Sequence, residues 1–226
     1  LTNTQLYNNS VQNGNGGGIF VSEYSNVTLQ DNTIVSGCHA DVNGGGIYAS
    51  QKSYIEMRQS VSLRDNNANS NGGAFYLSHS SSSRLSNDIV FVQNKVQGSN
   101  STAGSSNGAG IFISHDSSIL EMTKVSFIEN MILSDNGKGS AIYIEDESFL
   151  KIANSSFINN RIVDNQNGNA AGGAIYSIDN NRLDIANTSF INNQISSYLN
   201  NNNNNNTDNN TDNNNQNYLR YNNNNT

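Results

Sequence analysis

Glu121, Lys151 and Asp184 are the residues whose types and spacing could carry out catalysis. They occupy matching positions in three successive repeats of the sequence. If the repeats stack at the ~4.8 Å spacing of paired strands, the backbones at Glu121 and Asp184 lie roughly 9.6 Å apart. Inverting glycosidases hold their two carboxyl groups at a similar separation. The same residues also fit an alternating-charge ladder on a solvated sheet, which stabilises a protein only weakly.

A second group with chemical potential contains two histidines. His79, His115 and Asp146 also occupy one position in successive repeats, together with Glu23, Gln51 and Asp179. At a spacing of ~4.8 Å, two imidazoles and a carboxylate could share a divalent metal ion. The alternative is that these side chains are simply solvated in polar turns. Because no cofactor motif is present, the sequence predicts no bound cofactor.

A third position is aromatic in every repeat. Its occupants are Phe20, Tyr48, Tyr76, Phe112, Tyr143 and Tyr176. Alternation along a strand predicts that they point outward, away from the apolar residue that precedes each of them. Outward rings can stack on one another between repeats. They can equally form a ribbon that binds a sugar or a partner protein, since a contiguous exposed aromatic patch usually marks a contact site.

The elements that position these residues are six copies of one short phrase, of which GGGIF (16–20) and GGGIY (44–48) are the first two. A second phrase, best formed as SFINN (156–160), follows 15 or 16 residues after each first one. A third apolar pair lies between the two phrases. The first phrases are marked by Ile19, Ile47, Phe75, Ile111, Ile142 and Ile175, and the second by Ile34, Leu63, Phe91, Phe127, Phe157 and Phe190.

Each repeat therefore offers three short strands with apolar residues at every second position, which indicates β structure. Such a unit cannot bury its own apolar side, but stacked copies enclose a continuous core. We predict an all-β, right-handed parallel β-helix with three sheets and about six coils over residues 1–199. Six coils at ~4.8 Å give a rod of roughly 29 Å.

The glycines and asparagines of the two phrases are predicted to shape the turns. Glycine adopts a positive φ without steric cost, and asparagine is the next most tolerant residue. Asparagine recurs where the second phrase ends, with Gly37 in the equivalent place of the first copy, and stacked asparagines can form a hydrogen-bonded ladder. The asparagines concerned are Asn66, Asn94, Asn130, Asn160 and Asn193.

The two phrases resemble the repeat of the polymorphic outer membrane protein family and of related right-handed β-helix proteins of the pectin-lyase-like superfamily. The resemblance covers residues 4–193 and is best formed at Gly172–Ile175 and Phe157–Asn160. It implies a surface-exposed adhesin or autotransporter passenger. Enzymes of this fold concentrate Asp, His, Arg or Lys on one patch, and no matching cluster is visible, so we expect a protein that is not an enzyme.

Composition narrows the remaining possibilities. The 226 residues are 34% hydrophobic and carry a net charge of −7, with the basic residues scattered, which disfavours nucleic acids and anionic membranes as partners. The single Cys38 excludes an intrachain disulfide and is expected to be a passive thiol in a loop. Residues 200–226 are mostly asparagine, and nearly all the others are polar too, which predicts a disordered tail or linker.

These observations predict an extracellular or cell-surface structural or adhesive module. Its expected partners are a glycan or a surface protein, bound through the aromatic positions. We expect no insertion into a membrane by this segment, and flanking domains in a longer chain. The alternative is a polysaccharide lyase or glycoside hydrolase that uses Glu121, Asp184 and Lys151.

Overall fold

The fold is a right-handed parallel β-solenoid, seen in a computed structural model that describes residues 1–98, 106–115, 119–164 and 169–197 and the backbone of 220–221. The described residues form strands and turns and no helix. All the strand pairs are parallel, and each joins one coil to the next. About six coils stack into three sheets, as the repeats predict.

Sheet 1 is built from the first phrase of each repeat. The marker residues of neighbouring coils pair directly, for example Phe75 with both Ile47 and Ile111. The backbone of Arg220–Tyr221 adds β25 beside the last of these strands, and the rest of the tail lies outside the described residues. The six strands from the repeats are β3 (Ile19–Val21), β7 (Ile47–Ala49), β11 (Phe75–Ser78), β14 (Ile111–Ser114), β17 (Ile142–Ile144) and β21 (Ile175–Ser177).

Sheet 2 contains both the middle and the third strand predicted for each repeat. In coils 3 and 4 the two strands are continuous, as β12 (Ser82–Val92) and β15 (Ile119–Ile128). The middle strands elsewhere are β4 (Asn26–Gln30), β8 (Tyr54–Arg58), β18 (Phe149–Ala153) and β22 (Arg182–Ala186). The third strands elsewhere are β1 (Gln5–Tyr7), β5 (Ile34–Ser36), β9 (Val61–Arg64), β19 (Ser156–Ile158) and β23 (Ser189–Ile191).

Sheet 3 is formed by short strands that follow the second phrase and that the sequence pattern does not reveal. Six of the seven have at most one fully buried residue, which is too few for a detectable alternation. Its members are β2 (Ser10–Val11), β6 (His39–Ala40), β10 (Asn67–Ala68), β13 (Lys95–Gln97), β16 (Met131–Leu133), β20 (Arg161–Asp164) and β24 (Gln194–Ser197).

The core is a column of stacked apolar side chains enclosed by the sheets. Phe91, Phe127, Phe157 and Phe190 stack face to face with ring centroids 4.7–4.8 Å apart, which is the spacing of the coils. In the first copy, Val35 pairs with Leu63, so Ile34 is not the equivalent residue. The prediction of Ile34 is one residue out of register because the apolar pair Ile34–Val35 leaves the inward residue ambiguous.

The asparagine ladder, Asn66, Asn94, Asn130, Asn160 and Asn193, forms the buried corner between sheets 2 and 3. Each asparagine except the last, Asn193, donates its backbone N–H and its Nδ2 to the Oδ1 of the asparagine in the next coil, as Asn94 does to Asn130 at 3.2 and 2.9 Å. Each Nδ2 also donates to a backbone carbonyl of the preceding coil. The ladder is therefore confirmed, with every member at most 3% exposed.

The positive φ at this corner belongs to the residue before each ladder asparagine. Gln93 and Glu129 have φ of 54° and 56°, and Gly37 takes the same place in coil 1. The expectation that Asn66 to Asn193 supply the left-handed conformation is therefore wrong, and so is the equivalence of Gly37 with them. Cys38 occupies the ladder position of coil 1, buried, where its N–H donates to Asn66 Oδ1 at 3.0 Å. It lies in the short connection between β5 and β6, as expected from the sequence, and it is fully buried there.

The first glycine of each GG phrase has the predicted positive φ, between 59° and 72° across the six copies. At Gly72 an added Cβ would lie 2.6 Å from the carbonyl oxygen of Phe75. This turn brings the chain back into sheet 1, and a larger residue would be strained there.

Candidate functional site

The aromatic ladder consists of Phe20, Tyr48, Tyr76, Phe112, Tyr143 and Tyr176, and its rings form one continuous stack. Neighbouring centroids lie 4.9–5.5 Å apart and the planes are within 12° of parallel. The rings point away from the main core and form a separate apolar cluster. Their predicted outward direction and stacking are thus both observed.

The expectation of an exposed ribbon, however, is wrong for four of the six rings. Tyr76, Phe112, Tyr143 and Tyr176 are only 3–8% exposed, whereas Phe20 at the end of the stack is 58% exposed. Stacking covers the ring faces, and flanking side chains cover the edges. Ala171 and Ile178 pack against the stack, and Lys138 Nζ lies 5.1 Å from the centroid of the Tyr176 ring. Accessible aromatic surface remains at Phe20 and at the half-buried Tyr48.

Burial of the aromatic ladder changes the acid–base properties of its polar atoms. The Tyr143 hydroxyl donates to Glu145 Oε2 at 2.6 Å. Burial, followed by the hydrogen bond to Glu145, raises the pKa of the Tyr143 hydroxyl far above its ordinary value. Burial likewise raises the pKa of Glu145, and the nearby Asp146 and Asp179 add to this effect while Tyr143 and His115 oppose it. Tyr143 therefore stays protonated and acts as a hydrogen-bond donor.

The catalytic candidates lie where the repeat places them, in a charge ladder on the outer face of sheet 2. Glu121 pairs with Lys151, and Lys151 pairs with Asp184, on successive coils. Arg84, which the repeat pattern did not single out, extends the ladder. A guanidinium nitrogen of Arg84 binds Glu121 Oε2 at 3.0 Å. Asp184 Oδ2 is bound by Arg182 at the same distance. Both carboxylates thus have an arginine partner on an open sheet surface.

His79 and His115 also come together, but as stacked rings. Their centroids are 4.7 Å apart, and each Nδ1 faces the hydroxyl of the preceding serine. Asp146 Oδ2 accepts from the backbone N–H of His115 at 3.4 Å and not from its ring. Within the described part of the chain, no group of three His, Cys, Asp or Glu side chains is arranged to hold a metal ion. The structure therefore does not bring these three residues into a shared metal site.

A groove of about 710 Å³ lies at the corner outside the asparagine ladder. We call it the axial groove, because its lining comes from five successive coils and so crosses the strands. One wall is the row of positive-φ residues that precede the ladder, Asp65, Gln93, Glu129, Asn159 and Asn192. The other wall is the row that follows it, Lys95, Met131, Arg161 and Gln194.

Polar side chains with both donors and acceptors dominate the axial groove. Gln93 Nε2 donates to Glu129 Oε2 at 2.9 Å, which links two coils along one wall. Arg161 in the facing wall lies over Met131, with a guanidinium nitrogen 3.1 Å from Sδ. The two acids, Asp65 and Glu129, balance the two bases, Lys95 and Arg161, so the groove is formally neutral in a chain of net charge −7.

The residues on either side of each ladder asparagine are the sequence signal for the axial groove. Both residues that flank each ladder asparagine are outward, and nine of these ten residues are polar. The recurring asparagines are the more conspicuous feature of the pattern, so the flanking rows are easily overlooked. Recognising a groove also requires the bend at the corner, which depends on the positive φ of one wall and cannot be read from spacing.

Comparison with known proteins agrees with the architecture. The family described as right handed beta helix region matches residues 2–122, just over half of the chain. Searches of curated proteins and of solved structures gave no match. In the part of the chain that the structure describes, no helix is long and apolar enough to span a membrane. The family match and the stacked parallel coils show that this chain belongs to the right-handed β-helix family.

Proposed function

We propose that this chain is a non-catalytic rod of an extracellular or cell-surface protein, and that it binds an extended polymer along the axial groove. The observation that carries the proposal is the groove itself, in which five coils present polar side chains at a constant spacing. A linear ligand that lies along the rod would meet polar side chains at each of the five coils. The resemblance to surface adhesins agrees with such a role.

The rigidity of the corner supports binding at this place. Gln93 and Lys95 flank Asn94, whose backbone and side chain are both hydrogen-bonded within the buried ladder. The groove walls therefore stand on a backbone that is fixed in every coil. Preorganised side chains lose less entropy when a ligand binds, which favours affinity.

The aromatic ladder has a different role in this proposal. Its inner rings are buried, so they hold the coils together, and they offer little area to a ligand. Phe20 and Tyr48 remain as a small accessible patch at one end of the stack. The aromatic contact face expected from the sequence is thus reduced to these two rings, and it stays a competing binding site to be tested.

The experiment compares two triple-glycine variants of the full chain on arrays of glycans, polysaccharides and peptides. The groove variant Gln93→Gly/Glu129→Gly/Asn159→Gly removes side chains at positive φ, where glycine is unstrained. The control variant Gln59→Gly/Asp88→Gly/Asn154→Gly makes the same kind of change, with the same change in charge, at exposed positive-φ positions on another corner.

We expect the groove variant alone to lose binding. A third variant, Phe20→Ser/Tyr48→Ser, tests the competing patch. If binding survives in the groove variant and disappears in the Phe20/Tyr48 variant, the ligand uses the end of the aromatic ladder, and the proposed groove is wrong.

The alternative function is a polysaccharide lyase or glycoside hydrolase. The register of the charge ladder supports this alternative. Glu121, Lys151 and Asp184 do lie on successive coils. The arginine partners of both carboxylates and their open surroundings favour a structural ladder. Turnover assays on acidic polysaccharides decide between the two accounts. Activity in the wild type that is lost in both Glu121→Gln and Asp184→Asn would establish the enzyme.

A further inference from the structure

We infer that the ligand of the axial groove is an uncharged, hydroxyl-rich polysaccharide that lies along the rod. This inference rests on the proposed function and names its ligand class. The groove contains acids and bases in equal number, and they alternate from coil to coil. Asp65 and Glu129 stand in coils 2 and 4, and Lys95 and Arg161 stand in coils 3 and 5.

This alternation disfavours charged polymers. A polyanion such as a polyuronate or a nucleic acid would place a negative charge beside Asp65 or Glu129 at every second coil. A polycation would meet Lys95 and Arg161 in the same way. Like charges held side by side are destabilising, and the net charge of −7 adds a further unfavourable term for a polyanion.

A polypeptide strand is also a poor match for this surface. Peptides that add to a sheet need an unpaired strand edge. The strands beside the groove are paired on both sides, as β13 is with β10 and β16, and β16 is with β13 and β20. The groove crosses these strands, so it offers no edge to an incoming peptide. Met131 is the one apolar side chain in its lining, which leaves little to anchor an apolar residue.

A neutral polysaccharide carries no charge to be repelled in the groove, and it needs no unpaired strand edge. Each sugar hydroxyl is both a donor and an acceptor, and the walls supply carboxylates, amides and cationic donors. One sugar unit of an extended chain advances by about one coil. The five coils of the groove span roughly 19 Å at ~4.8 Å per coil and therefore accommodate about five sugar units.

Isothermal titration calorimetry of the full chain tests this inference. The neutral probes are dextran, galactomannan and mixed-linkage glucan, and the acidic comparators are polygalacturonate and alginate. We expect binding of at least one neutral polymer whose affinity changes less than about threefold between 50 and 500 mM salt, because screening acts on charges. With oligosaccharides, affinity should rise with length and level off at about five units.

Variants separate the ligand class from the site. The Gln93→Gly/Glu129→Gly/Asn159→Gly variant should weaken binding of the neutral polymer by about tenfold or more, since several hydrogen bonds are lost. The Gln59→Gly/Asp88→Gly/Asn154→Gly control should not change it.

Two outcomes overturn the inference in distinguishable ways. If an acidic polymer binds preferentially, and its affinity falls with salt and in Lys95→Gln/Arg161→Gln, the ligand class is wrong but the groove site stands. If the wild type binds a polymer that the groove variant binds equally well, the groove is not the site, and the proposed function fails with the inference. Absence of binding to every neutral probe also overturns the ligand class.

Discussion

The buried asparagine ladder shows how a single polar residue type can fix a corner of the rod. Asn130 is fully buried, and its Oδ1 accepts from both the backbone and the side-chain nitrogen of Asn94. Its Nδ2 donates to Asn160 Oδ1 and to the Phe91 carbonyl. The side chain thus satisfies buried polar groups in the coils on both sides of its own.

Asn130→Ala is expected to destabilise the fold by roughly 3 kcal/mol or more. The substitution leaves the buried Asn94 N–H without its partner, which costs about 1–3 kcal/mol, and it also removes three other hydrogen bonds of the Asn130 side chain. Urea unfolding followed by circular dichroism measures the change. Asn26→Ala, at an exposed strand position, is the control and should stay within about 0.5 kcal/mol of the wild type. Equal effects of the two substitutions would refute a structural role for the ladder.

Cys38 interrupts the asparagine ladder, and Cys38→Asn should extend it. Asn9 Nδ2 now faces Cys38 Sγ at 3.8 Å, and Sγ lies 3.9 Å from the Leu6 carbonyl. An asparagine would reproduce the hydrogen bonds of the other coils, so we expect a gain of about 1 kcal/mol in the free energy of unfolding. Cys38→Ala, which adds no hydrogen bond, is the matched comparison. The idea fails if the asparagine variant is no more stable than the alanine variant.

Glu145 makes stability depend on pH, because its folded pKa is raised above the ordinary value of 4.5. A raised carboxyl pKa favours folding below the unfolded pKa, and this contribution is lost as the pH rises through the folded value. Glu145→Gln should therefore raise the Tm at pH 7, with the difference from the wild type shrinking toward pH 4. Thermal melts over this range measure it, with the exposed Glu147→Gln as control. A difference that does not vary with pH would show that ionisation of Glu145 is not the cause.

At the scale of the element, each strand is held mainly by the strands above and below it. Phe127 is fully buried between Phe91 and Phe157, whereas Phe190 ends the column and has a neighbour on one side. The strands themselves are only three to five residues long in most coils. Side-chain stacking between coils therefore matters more than the length of any one strand.

Phe127→Ala should cost about 3–5 kcal/mol, as expected for removal of a buried ring with a cavity left behind. Phe190→Ala should cost clearly less, since the ring is only half-buried at the end of the column. Chemical denaturation of the two variants gives the comparison. Losses of the same size at both sites would mean that the stack does not determine the stability of the coil.

At the scale of the whole molecule, the rod is a stack of similar coils with a polar exterior. Equivalent residues form straight rows along it, so that any outward position becomes a surface feature several coils long. The axial groove, the charge ladder and the stacked histidines are all products of this rule. A function that needs an extended contact can thus arise from any row whose side chains stay accessible.

Deletion of residues 200–226 tests the predicted boundary between the β-helix and the tail. The segment has few apolar residues to bury, and β25 contributes only two residue pairs to sheet 1. We expect the Tm to fall by less than about 4 °C, which corresponds to about 1 kcal/mol for a domain of this size. Deletion from Ile175 onward removes a whole coil and should lower the Tm considerably more. A truncation after residue 199 that no longer unfolds cooperatively would place essential structure in the deleted segment.

The sequence by itself determined which residues stack. Equivalent positions recur with the GG phrases, so the pairing of Phe75 with Ile47 and Ile111, the positive φ of Gly72 and the asparagine ladder could all be predicted. These features depend on local pattern and on repetition, which the chain displays directly. Ile34, chosen in place of Val35, shows the limit, because a run of two apolar residues does not reveal which one faces inward.

Only the tertiary structure decided what is accessible on the outside. Alternation predicts that Tyr143 points away from the core, but its burial depends on neighbours such as Glu145 that lie beside the ring after folding. The axial groove likewise exists because a bend at Gln93 brings two rows face to face across Asn94. Exposure and concavity are properties of surfaces assembled from several coils. They follow from packing and corner geometry, and neither is encoded in the spacing of a single repeat.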